Sequence, residues 1–250
     1  TRGALGLLRR LLALLRVAFP KARFLVRLDG GFATPEVLDV LDAEPGLDYV
    51  VAMAENSVLA RFAEPAMVDA RARSDASGHT EHVYTEARYA ARTWRRRARR
   101  VVIKAEVVRL EGRAPRDNPR FVMTNLRQTP RFIYERVYCA RGDIENRIKE
   151  LHDGLQIGRT SCCRFWANQL RVLLTAAAYV LMQELRLRAA RTACARTQVT
   201  LLRERLLKLG VHVVSSVRRI VLHLPTSTPY LDAWRHIALA LGARPGGPPP

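Results

Sequence analysis

Two groups of side chains in this sequence could do chemistry. The first is Asp29, which ends the apolar run Phe24-Leu25-Val26-Arg27-Leu28 and is followed by Gly30-Gly31. A carboxylate at the carboxyl end of a buried strand sits where open α/β sheets form ligand crevices. The same residue can equally be an Asp that closes a tight turn. The second group is Tyr138, Arg141, Glu145 and His152, spaced at i, i+3, i+7 and i+14. At about 100° per residue these positions return to one stripe of a helix, and Asp143 and Glu150 fall off it. On such a stripe a carboxylate can ligate a cation while a guanidinium and a phenol contact phosphate. A solvated helix face is the plain alternative.

The sequence holds no glycine-rich phosphate loop, no dinucleotide-binding glycine fingerprint, no HExxH zinc helix and no GxSxG elbow. His79, His82, His212, His223 and His236 show no ligand spacing along the chain and read as ordinary surface or core histidines. The cysteines Cys139, Cys162, Cys163 and Cys194 do not form two CxxC pairs, which argues against a structural zinc site. Their small number points to a reducing compartment.

The elements that must position these residues follow from local pattern. Leu5 to Val17 is an amphipathic helix, Ala22 to Asp29 a buried strand, and Thr34-Pro35 the cap and first residue of a helix that runs to about Asp42. Asp48 to Met53 is a second buried strand and Ser57 to Arg73 a helix, the rhythm of an α/β layer. From 74 to 126 the texture turns to hairpins, with strands expected at His82–Ala87, Arg100–Leu110 and Phe121–Leu126. Phe132 to Leu155 reads as one long amphipathic helix. Ser161 to Leu185, apolar all round, reads as a core helix. Arg186 to Leu209 reads as a basic helix capped by Gly210, Val211 to Leu224 as one or two strands, and Tyr230 to Leu241 as a last helix. Ala243 to Pro250 reads as a disordered tail.

Length and charge set the class. With 250 residues and 48% hydrophobic content the chain has enough apolar surface to fold, so it is no disordered basic tail. Lys and Arg number 42 against 23 Asp and Glu, a net charge of +19, which points to a polyanionic partner. Almost all of that charge is arginine, as a GC-rich genome would favour, and arginine's planar fork suits phosphate. The densest run, Arg95-Arg96-Arg97 and Arg99-Arg100, lies beside Tyr89 and Trp94. The longest charge-free apolar run, Val172 to Met182, is well short of the roughly 20 residues that a membrane span needs.

The spacing Tyr138-x2-Arg141-x3-Glu145-x6 resembles the Tyr-x2-Arg-x3-Glu-x6-Lys signature of the DDE transposases of bacterial insertion sequences. The stretches RLDGGFATPEVLDVLD, VYCARGDIENRIKELHDG and NQLRVLLTAAAYVLMQEL read like one subgroup of that family, and the resemblance spans nearly the whole chain. It implies an α/β, ribonuclease H-like catalytic core (residues 1–73 and 127–185), interrupted by an all-β insertion (74–126). A basic helical C-terminal region (186–242) and the tail (243–250) follow. It also implies three carboxylates holding two Mg2+ or Mn2+ ions about 4 Å apart, with Asp29 as the second Asp and Glu145 as the Glu. Tyr138 and Arg141 match residues that contact DNA at the transposon end, and His152 stands where the family has Lys. Arg95, Arg96 and Arg97 would meet DNA, and Trp94 would stack an unpaired base, unless it is a core residue.

The partners so implied are double-stranded DNA, at transposon ends and target, and a second copy in a synaptic homodimer. The setting would be the bacterial cytoplasm, at the nucleoid. No residue here matches the family's first Asp, so the chain reads as the C-terminal part of a cut-and-paste transposase. The alternatives are a catalytically inactive remnant that only binds DNA and, on charge alone, a basic RNA-binding protein.

Overall fold

The strands expected at Phe24 and Asp48 pair in parallel; the second is buried as expected, but the first is an edge strand with Leu25 and Arg27 exposed. The computed structural model describes residues 2–94, 97–218 and 220–243, and the chain divides into two compact units, Thr1–Gly142 and Asp143–Pro250. Arg95, Arg96 and most of the tail lie outside the described residues.

In the first unit, β1 (Phe24–Leu28) pairs in parallel with β2 (Leu47–Met53), Phe24 opposite Leu47 and Leu28 opposite Val51. β2 pairs antiparallel with β6 (Arg120–Thr124), β6 with β4 (Arg99–Val108), and β4 with β3 (Glu81–Tyr89). The order is therefore β1-β2-β6-β4-β3, with the two-residue β5 (Arg116–Asp117) beside β4. The β-rich stretch after residue 74 does not stand apart as a module. Its strands continue the sheet of β1 and β2, because β6 returns to the open edge of β2.

Side-chain alternation fills both faces of this sheet. Tyr49, Val51, Val101, Ile103, Phe121 and Met123 pack on one face with α2 (Pro35–Ala43) and α3 (Ser57–Ser77). Their neighbours Val50, Val102 and Val122 pack on the other face against Ile133 and Tyr134. The helices start where capping chemistry says they should. The Thr34 hydroxyl accepts from the Val37 amide with Pro35 in the first turn, and Asn56 accepts from the amides of Val58 and Leu59. Gly78, in the left-handed region at φ 71°, ends α3. α1 (Arg2–Ala18) contributes Leu12 to the core.

The stretch expected as one regular helix from 132 to 155 is helical but not uniform. α4 (Pro130–Phe132) runs into a π-helical stretch, Ile133–Tyr138, and a 3-10 turn, Cys139–Arg141. α5 (Gly142–Lys149) and a second π stretch, Glu150–Gly154, follow.

The second unit has a small core of Met182, Ala189, Cys194, Val199, Leu202, Leu206, Ala233 and Ile237. α6 (Phe165–Arg188) corrects the expectation of a core helix: Met182 is its one fully buried residue, and Trp166, Leu173, Leu174 and Leu181 are exposed. An all-round apolar sequence reports what could be buried; burial itself needs partners from elsewhere in the chain. The basic helix expected from Arg186 to Leu209 does not form as one element: α6 itself runs on to Arg188. Turns follow, then the short α7 (Val199–Leu202) with a π extension to Leu207. β7 (His212–Ser215) and β8 (Ile220–His223) form a hairpin, and α8 (Leu231–Ala240) closes the unit. Among the described residues, no helix is long and apolar enough to cross a membrane.

Candidate active site

Asp29 follows the last residue of β1 and is solvent-exposed. Its extended backbone caps the turn Gly30–Phe32, where its Oδ1 accepts the Gly31 amide at 3.0 Å. Gly31 suits that contact, since a Cβ there would come within 3.2 Å of the same oxygen. The turn-closing reading of Asp29 is thus met by Oδ1, in a residue that stays exposed.

Alternation along β1 sends Phe24, Val26 and Leu28 into the helix-covered core and Leu25 and Arg27 to the opposite face. The Arg27 guanidinium donates from Nη1 to the Val137 carbonyl at 3.3 Å. That ties the last rungs of β1, next to Asp29, to the backbone beside Tyr138. Arg27 was not among the residues singled out from sequence. Its signal was the two-residue spacing from Asp29, which puts both on one side of an extended strand.

Tyr138 is half-buried, and its ring rests against Tyr134, centroids 5.4 Å apart, which in turn meets Tyr84 at 5.8 Å. Burial pushes the Tyr134 hydroxyl up to about 12. Tyr84 rises further, through burial and then the neighbouring Glu135 carboxylate, to which it donates at 3.2 Å. The Arg141 guanidinium lies 5.9 Å from the Tyr138 ring centre. The 3-10 turn between them explains that stacking, because residues three apart eclipse in such a turn. The first unit therefore brings Tyr138 and Arg141 together, on the sheet face reached by Arg27.

Glu145 and His152 belong to the second unit, and both are exposed. Glu145 lies in the first turn of α5, and His152 in the π stretch after it, where its ring lies beside Gly158. Between them, Glu150 is the one fully buried carboxylate of the second unit among the described residues. Its Oε2 accepts from Tyr179 at 3.0 Å and pairs with Arg147 at 3.0 Å; its Oε1 takes the Val199 amide at 3.2 Å and pairs with Arg186. Glu150 binds the pieces of this unit to each other. Sequence reading missed it because three of its four partners are distant in the chain.

Two of the described arginines of the basic run, Arg99 and Arg100, are committed internally. Arg99 is buried, donating to Asp42 at 2.8 Å and Asp39 at 2.7 Å, while Tyr49 donates to Asp42 at 2.7 Å. Arg100 pairs with Glu86 and donates to the carbonyls of Leu126 and Gln128. Arg97 is exposed, 3.7 Å from Asp42. Trp94 is 4% exposed, sandwiched between the edge of Tyr89 (5.1 Å) and the Arg99 guanidinium (5.0 Å). That corrects the base-stacking expectation. Trp94 is a core residue, buried against Tyr89 with the Arg99 guanidinium over its ring.

Asp29 and Glu145 offer the hard oxygen donors that Mg2+ and Mn2+ prefer. Asp29 belongs to the first unit and Glu145 to the second, and among the described residues no three of His, Cys, Asp and Glu are grouped to hold an ion.

A search of curated proteins finds no match to this chain. The family model described as transposase DDE domain, group 1, matches residues 1–244. With all but the last six residues covered, the chain belongs to the DDE transposase domain family.

Proposed function

We propose that this chain is the part of a DNA transposase that supplies two of the carboxylates and the DNA contacts with which its family moves an insertion sequence by cut-and-paste phosphodiester hydrolysis and strand transfer. Asp29 and Glu145 would hold the divalent cations, Mg2+ or Mn2+, within a ribonuclease H-like core. The metals, when bound, supply activation of water or a DNA 3′-OH and charge stabilisation at the attacking and leaving oxygens.

The chain's own residues do the rest. Arg141 grips a backbone phosphate through its fork, and the Tyr138 hydroxyl donates to an adjacent phosphate oxygen. The tyrosine ladder behind Tyr138 fixes that ring, and Arg27 locks strand β1 to it. His152, where the family has lysine, offers a shorter and less mobile contact to phosphate than a lysine would. The third carboxylate matches no residue of these 250. The chain alone is therefore expected to bind DNA, at transposon ends and target and as a synaptic homodimer, without cutting it.

The observation that carries this reading is that Asp29's strand and the Tyr138–Arg141 pair share one sheet face, joined through Arg27 and the Val137 carbonyl. Duplex DNA binding, followed by fluorescence anisotropy across a salt series, tests it. Affinity should fall log-linearly between about 50 and 200 mM salt, and Arg141→Ala should reduce the slope by about 1. A flat salt dependence, or an Arg141→Ala variant with an unchanged slope, would remove the phosphate contact from the account.

A further inference from the structure

We propose that His212 and His223 form a cross-strand clip for a borderline divalent cation of the Zn2+ class. Ten residues separate them in sequence, which is why they show no ligand spacing there. The hairpin places them directly opposite each other, His212 as the first residue of β7 and His223 as the last of β8. Their rings lie 5.7 Å apart between centroids, with planes inclined by 32°. Both are exposed, and among the described residues neither ring makes a side-chain hydrogen bond or an ion pair. Zn–N bonds of about 2.0–2.1 Å let two such rings flank one ion, with water completing the shell.

The hairpin itself supplies an independent reason. It pairs only with itself, and Val213, Val214, Ile220 and Leu222 on it are exposed. A two-stranded hairpin without a third strand or a covered face is marginal in water. The histidines stand at its open mouth, so a tie between them holds every rung closer to the turn. An ion bound only by the paired form stabilises that form by mass action. Imidazole selects Zn2+, Ni2+ or Cu2+ over the hard cations that Asp29 and Glu145 suit, so the clip is separate chemistry from the proposed active site.

The test uses the full chain with 15N-labelled histidine, titrated with Zn2+ in excess Mg2+. The ring nitrogens of His212 and His223 should shift together with one equivalent, and amide exchange over residues 212–223 should slow. His212→Gln should abolish the His223 response or weaken it by at least about tenfold, and His223→Gln should do the same to His212. Zn2+ that leaves both ring resonances unmoved, including Zn2+ bound at Cys162 and Cys163, overturns the proposal. So does a response of either histidine that survives substitution of the other.

Discussion

The two units solve the same problem with different resources. The first buries a sheet on both faces, so the central strands β2, β4 and β6 contribute side chains to two cores, and buried Arg99 ties together Asp39, Asp42 and, through Asp42, Tyr49. The second has one small cluster and, among the described residues, a single buried carboxylate, Glu150, while most large apolar residues of α6 face outward. A sheet can recruit distant segments by its edges. A helical unit has only side-chain stripes, and α6 presents more stripe than this unit covers. Buried charge accordingly bears more weight in the first unit and relaxes more easily in the second.

That contrast can be broken by substitution, beginning where the effect should be largest. Arg99→Leu leaves the largely buried Asp42 with only the exposed Arg97 at 3.7 Å as a cation and should cost the first unit about 3–5 kcal/mol, read as lost amide protection along β4. Adding Asp42→Leu should restore a good part of it, which a mere packing defect would not do. Glu150→Ala should cost the second unit less, about 1–3 kcal/mol, because Arg147 and Arg186 can turn towards water and the Val199 amide is the main group stranded. Equal losses in the two units would contradict the comparison.

A smaller effect is expected on the acid side. Burial works to raise the Glu106 carboxyl, but hydrogen bonds from Lys104 and Asn118 outweigh it and hold the group below its ordinary 4.5. A depressed folded value means that the stabilisation is present above 4.5 and lost as pH falls below it. Lys104→Met should therefore narrow the difference in stability between pH 7 and pH 3, measured by urea unfolding of the first unit. Smallest of all, Leu174→Gln and Leu181→Gln on the outer face of α6 should change the stability of this chain by no more than about 0.5 kcal/mol. A loss of several times that size would show that the face is covered in solution.

Sequence legibility divided along the same line. The strands at Phe24, Asp48, His82, Arg100 and Phe121 were legible within a residue or two, since their apolar alternation is local, and Thr34-Pro35 marked its helix start through capping chemistry. The joining of β6 to β2 was not, because pairing partners leave no trace in either strand's own pattern. The stripe from Tyr138 to His152 assumed one regular helix, whereas π and 3-10 turns interrupt it. The Tyr138–Arg141 pairing survives that change because three residues also eclipse in the 3-10 turn. Trp94 and Arg99 read as a DNA-facing patch because composition marks arginine and tryptophan as sticky. Burial then spends them on each other and on Asp39 and Asp42.

The central claim is that Asp29 and Glu145 are metal-holding carboxylates and not only a turn cap and a solvated helix residue. Its most direct test is Mn2+ binding to the full chain, followed by electron paramagnetic resonance, with Asp29→Asn and Glu145→Gln compared under matched salt. The account predicts that each substitution weakens Mn2+ binding by at least about tenfold while the fold, read by amide exchange, is kept. Unchanged Mn2+ affinity in both variants would contradict it.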